Sequence, residues 1–136
     1  MRKPIARVIQ PQQQGLTGPQ VGKYSVDVLS FEEIALPVIN KALNIERDKN
    51  TIVIIDEIGK MEMFSEMFRR GIKQLFDQSI ECKSLRLLVT IPLKNSIPFV
   101  EELRKRNDVK EIEVKKSNRN ELADDIVQML ISNAVK

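Results

Sequence analysis

Thr51-Ile52-Val53-Ile54-Ile55-Asp56-Glu57 is five β-branched residues followed at once by two carboxylates. β-Branched side chains suit a pleated strand, and an unbroken apolar run suits a strand covered on both faces, as in a parallel sheet. The pattern changes sharply beyond it. From Met61 to about Ser79, Phe64, Met67, Phe68, Ile72, Leu75 and Phe76 recur at three- and four-residue spacing, while Glu66, Arg69, Arg70, Lys73 and Gln74 fall on the opposite side. That spacing predicts an amphipathic helix. A second apolar run covers Leu85 to Ile91, a short helix is predicted over Val100–Arg106, a short strand over Lys110–Val114 and a closing helix over Glu121–Ala134. The closing helix would turn Ile126, Val127, Leu130 and Ile131 inward, with Ser117 or Asn118 as its cap.

On the N-terminal side, Tyr24 to Leu29 alternates like a half-buried strand, and Ser30-Phe31-Glu32-Glu33 has the form of a capping box that would open a helix. Pro37 falls inside that helix and predicts a kink or break, with Ile34, Val38, Ile39 and Leu43 packing inward. Residues 1–22 are rich in Pro, Gly and Gln and lack apolar periodicity; only Arg7-Val8-Ile9 could pair as a strand. The expected organisation is an irregular segment over 1–22 and one α/β domain over 23–136. Strands alternating with helices imply βα units on a mostly parallel sheet.

Composition narrows the function. The 136 residues are 42% apolar and 30% charged, which is ordinary for a folded domain. There is no His, so histidine bases, histidine metal ligands and Ser-His triads are excluded. Cys82 is the single cysteine; it excludes an internal disulfide and a multi-cysteine zinc site and fits a reducing, cytoplasmic setting. Five Phe, one Tyr and no Trp leave few platforms for stacking nucleic-acid bases, and a net charge of +3 is too mild for a basic footprint. No apolar run approaches the roughly eighteen residues of a spanning helix, so no membrane partner is expected.

Ligands of open parallel sheets bind beyond the carboxyl ends of the strands. Asp56 and Glu57 stand at such an end. Four aliphatics followed by Asp-Glu fit a Walker B strand: the first carboxylate holds Mg²⁺ through its water shell, and the second polarises a water for attack on a γ-phosphate. The plainer alternative is a pair of acids that begins a loop. The nearest approach to a phosphate loop, G-x-x-x-x-G-K-[ST], is Thr17-Gly18-Pro19-Gln20-Val21-Gly22-Lys23-Tyr24. Thr17 replaces the first glycine and Tyr24 the small hydroxyl. A phosphate loop follows a strand and opens a helix, whereas this stretch follows a Gln-rich segment and precedes a strand, so it reads as a chance likeness.

Several stretches resemble the cancer-related nucleoside-triphosphatase family of small P-loop NTPases: Val21 to Asp27, Ser30-Phe31-Glu32, Ala35-Leu36-Pro37-Val38, Val89-Thr90-Ile91-Pro92, Asn107 to Lys110 and Asn118-Arg119-Asn120. The most specific is Ile55-Asp56-Glu57-Ile58-Gly59-Lys60-Met61-Glu62, similar to the family's extended Walker B signature. The resemblance covers about residue 5 to the C-terminus. It implies a three-layer P-loop NTPase-like sandwich whose first strand and P-loop helix are missing here, since family members open with a strand, a true glycine-rich loop and its helix. It implies hydrolysis of ATP, GTP and other nucleoside triphosphates with Mg²⁺. Asp56 would organise the metal, Glu57 would position or deprotonate water, and Thr90 would sense the γ-phosphate or simply end its strand. Asn118 and Arg119 would lie near the base or cap the last helix. Without the Walker A loop, weak or absent activity is the expectation. The alternative is a non-catalytic, truncated form acting as an interaction module, binding a protein partner or itself through an exposed sheet edge.

Overall fold

A computed structural model of the chain describes residues 6–8, 20–21, 24–46, 48–94 and 97–132. The described residues form, in order, strands β1 (Ala6–Val8), β2 (Gln20–Val21) and β3 (Tyr24–Val26), helix α1 (Val28–Leu43), strand β4 (Thr51–Ile55), a 3₁₀ turn (Glu62–Phe64), helix α2 (Glu66–Glu81), strand β5 (Leu85–Val89), and helices α3 (Pro98–Arg104) and α4 (Arg119–Ser132).

The sheet that positions the site is the parallel pair β4–β5, in register from Thr51 opposite Leu85 to Ile55 opposite Val89. The crossover between them runs through α2, which packs on one face of the pair. That face carries Val53, Ile55, Leu87 and Val89 against Phe68, Ile72, Leu75 and Phe76. Residues 52 and 54 point the other way, and the expectation of a strand covered on both faces is not met: Ile52 is 46% exposed and Ile54 68%. On that second face Arg86, paired with Ile52, reaches the α4 backbone at Leu130 O (3.2 Å). Helices therefore attach to both faces, α4 by this polar tie.

The α1–α2 contact is close because Gly71 has no side chain: a Cβ there would lie 2.7 Å from Ile39 Cγ2. Phe31 meets Phe68 edge to face at 5.0 Å between ring centroids. The inward face of α1 is Phe31, Ala35, Ile39 and Ala42, whereas Ile34 and Val38 are exposed. The cap of α1 is Asp27 rather than Ser30. Its Oδ1 accepts the Ser30 N–H at 3.0 Å and its Oδ2 the Ser30 hydroxyl at 2.8 Å, which shortens the preceding strand to residue 26. Asp accepts through two oxygens and wins the capping role from Ser three residues later. The helix runs unbroken through Pro37, which lies on its exposed side.

α2 starts later than its apolar spacing implied. Ser65, fully buried, caps it by accepting the Phe68 N–H at 3.0 Å. Phe64 and Met67 are exposed. In α4, Ile126 and Leu130 are half-buried while Val127 and Ile131 are exposed. Residues 110–114 form no strand; Glu111 pairs with Arg104 at 3.4 Å, and Glu113 O accepts the Asn118 side-chain amide. Residues 6–8 and 20–21 both pair antiparallel with β3, Ala6 opposite Val26 and Val21 opposite Tyr24, so the region expected to be irregular contributes two strands. Ile9, residues 17–19 of the near-match to a phosphate loop, and its Gly22 and Lys23 lie outside the described residues.

Arg106 clamps the end of α3 to α2. Its guanidinium lies over the Phe76 ring at 5.4 Å and donates to Asp77 and Asp108, each at 2.9 Å. The hydrogen bond from Arg106 holds the Asp108 carboxyl below its ordinary value of 3.8, partly offset by desolvation. The same bond raises the Arg106 pKa. A carboxyl whose pKa is lowered on folding stabilises the fold above its unfolded value and loses that contribution as pH falls through the folded value. Asp108→Asn is therefore expected to lower stability near pH 7. The difference from wild type should shrink to nothing as urea unfolding curves are taken below pH 3.8.

Candidate functional site

Backbone bonds carry the β4–β5 ladder past its last paired residues. Ile55 O accepts the Thr90 N–H at 3.0 Å, and Thr90 O accepts the Ile58 N–H at 3.0 Å. Ile55 O also accepts the Glu57 N–H at 3.1 Å, which closes a tight turn around Asp56. The two strand ends are thereby joined, and the turn throws Asp56 and Glu57 outward while Ile58 dives into the core with no exposed surface.

The side chains follow. Thr90 Oγ1 donates to Asp56 Oδ1 at 3.0 Å across the strand ends. Glu57 has φ of +76°, a left-handed conformation that costs a residue with a Cβ about 1–2 kcal/mol. Its carboxylate lies over Gly59, where a Cβ would come within 3.2 Å of Glu57 Oε1 and 3.1 Å of Glu62 Oε2. Glu62 Oε2 accepts the Gly59 N–H at 2.9 Å. Behind it, the 3₁₀ turn is braced by Arg69, whose Nη1 donates to Met63 O.

Asp56, Glu57 and Thr90 are thus brought together at the carboxyl end of the sheet, exposed to solvent. Asn118 and Arg119 are not joined to them by any hydrogen bond or ion pair among the described residues. Asn118 Oδ1 accepts the Lys115 N–H at 2.7 Å, and Nδ2 donates to Glu113 O at 3.0 Å. Its carbonyl receives the Glu121 and Leu122 N–H groups, while Arg119 opens α4 on the surface. The surface hollow lined by Asn40, Lys41, Asn44, Glu46 and Lys49 lies at the opposite, amino end of β4, away from the acids.

Among the described residues, no three His, Cys, Asp or Glu side chains are placed to hold a metal by themselves. Asp56 and Glu57, exposed side by side at the end of the sheet, offer the one or two carboxylates that a divalent metal takes together with waters and substrate phosphates. The strand pattern singled out Asp56 and Glu57, and the family resemblance Thr90, but neither assigned a role to Gly59 or Glu62. Their i, i+3 separation was the available signal, and only the turn at Glu57 gives it meaning.

The sequence profile of the NTPase family matches residues 5–127. The chain belongs to this family. It is 40% identical to human cancer-related nucleoside-triphosphatase over 134 residues, an alignment that covers 97% of this chain and 68% of that protein. It is 36% identical over 111 residues to nucleoside-triphosphatase THEP1 of Aquifex aeolicus, covering 81% of this chain and 60% of that one. The crystal structure of the Aquifex protein superposes with a TM-score of 0.76 at 34% identity, over 86% of this chain and 67% of that one. The solution structure of the human protein gives 0.70 at 39% identity, over 95% and 67%. The fold is the α/β fold of the P-loop NTPases, with the β4–β5 pair open among the described residues.

The left-handed backbone at Glu57 yields a stability test. Glu57→Gly removes the strain, against a cost of about 0.5–1 kcal/mol for the freer unfolded chain. The variant is expected to unfold at the wild-type temperature or slightly above it. Ile58→Ala, next door, should lose about 2–5 kcal/mol in the same calorimetric measurement.

Proposed function

We propose that this chain supplies the metal and water side of a site that hydrolyses nucleoside triphosphates, ATP and GTP included, to the diphosphate and phosphate. The Asp56–Thr90 hydrogen bond carries the reading. It orients Asp56 at the end of the strand where a parallel sheet receives its ligand, with Glu57 adjacent. Asp56 would hold Mg²⁺ through water, the metal neutralising charge on the phosphates. Glu57 would take the proton of the attacking water, and Thr90 would sense the γ-phosphate while fixing Asp56. Asn118 and Arg119 would flank the base. No stretch of the 136 residues matches G-x-x-x-x-G-K-[ST], the backbone cradle that supplies most phosphate affinity. Turnover by these 136 residues alone is therefore low.

Phosphate release from ATP and GTP, followed with and without Mg²⁺, tests the proposal. Slow release that requires Mg²⁺ and falls at least about tenfold in Glu57→Gln supports it. Release indifferent to Mg²⁺ or to Glu57→Gln rejects it, and fast release would show that residues 17–24 cradle phosphate after all.

The exposed Ile52 and Ile54 favour a second reading, in which the chain binds a protein partner or itself through its sheet. β4 and β5 pair only with each other among the described residues, which leaves an outer edge on each strand. Sedimentation velocity is expected to show association that Ile54→Lys abolishes, and a monodisperse monomer at high concentration would exclude self-association.

A further inference from the structure

We infer that Gly59 and Glu62 are positioning residues that hold the Glu57 carboxylate in place; this rests on the reading of Glu57 as the water-activating group. The backbone beneath Glu57 is pinned at its next residue, where Ile58 is fully buried and donates its N–H to Thr90 O at 3.0 Å. The left-handed turn at Glu57, φ +76°, folds its side chain back over Gly59. The volume that a side chain at position 59 would take is filled by two carboxylates, Glu57 Oε1 and Glu62 Oε2, at 3.2 and 3.1 Å from a Cβ placed there. Glu62 is itself fixed, because its Oε2 accepts the Gly59 N–H at 2.9 Å. The result is a shelf: Gly59 is the floor, and Glu62, held in place by the Gly59 N–H, is a wall against which the Glu57 carboxylate rests in the space that a side chain at 59 would take. Buried aliphatic anchoring below and a hydrogen-bonded neighbour beside it restrict a flexible side chain to few rotamers.

Gly59→Ala is a clean probe. Position 59 does not have a positive φ, and the atoms an alanine methyl meets are the tips of flexible side chains, so the fold accommodates it while the carboxylates move. Glu62→Ala removes the wall and the acceptor, and Glu62→Gln keeps an acceptor for the Gly59 N–H. In NMR spectra of the full chain, wild type and Glu62→Gln are expected to show contacts between the Glu57 γ-protons and Gly59 Hα and a protected Gly59 amide. Glu62→Ala is expected to lose both. In the phosphate-release assay, Gly59→Ala and Glu62→Ala should lower kcat about tenfold with KM for the Mg²⁺–ATP complex unchanged, and Glu62→Gln should recover it. A Glu57 side chain that samples all rotamers in wild type, or stays fixed in Glu62→Ala, overturns the inference. If the contacts behave as expected but Glu57→Gln hydrolyses ATP like wild type, the positioning stands and the role given to Glu57 falls.

Discussion

Ile55 O accepts two N–H groups, one from Glu57 within its own turn and one from Thr90 on the neighbouring strand. A carbonyl has two lone pairs, and using both at a strand end does two jobs at once. It turns the chain sharply after β4, so that consecutive acids leave the sheet. It also fixes that turn to the end of β5, so that Thr90 stands beside Asp56 with its hydroxyl within 3.0 Å. The return bond from Ile58 N–H to Thr90 O closes the arrangement. The site inherits its geometry from these backbone bonds.

At the same junction, core and exposed acids share one short segment. Ile58 is buried completely and contributes to the core, while Glu57 beside it is held left-handed and exposed. Strained backbone at an exposed acid persists only where its surroundings over-determine it. Here the anchors are the buried Ile58, the Thr90 bonds and the 3₁₀ turn that leads to the Ser65 cap of α2. Relatives in human and Aquifex share this α/β scaffold, and this chain spans about two thirds of the solved chains it superposes on.

The periodicity of α2 and the β-branched run of β4 were legible in sequence because each depends on local spacing alone. The position of Asp56 and Glu57 at a strand end followed from where that run stops. Burial was less legible. Ile52 and Ile54 look identical in sequence to Val53 and Ile55, yet the latter two pack against the core while the former two are exposed. The local capping pattern pointed to Ser30 alone. Asp27 and Ser30 are both good caps, and the two-oxygen carboxylate prevailed by taking both the Ser30 amide and its hydroxyl. The pairing of residues 6–8 with β3 joins segments far apart in the chain, which no local pattern encodes.

Sequence by itself determined β4, β5 and the helix between them, the parallel β-α-β core, and the presence of two adjacent acids at its end, since side-chain branching and apolar period act over a few residues. Tertiary structure alone decided that Thr90 would bond Asp56, that Glu57 would turn left-handed, and that Gly59 and Glu62 would gather beneath it. Those contacts depend on hydrogen bonds between strands 34 residues apart and on a turn whose handedness is set by what is packed below it.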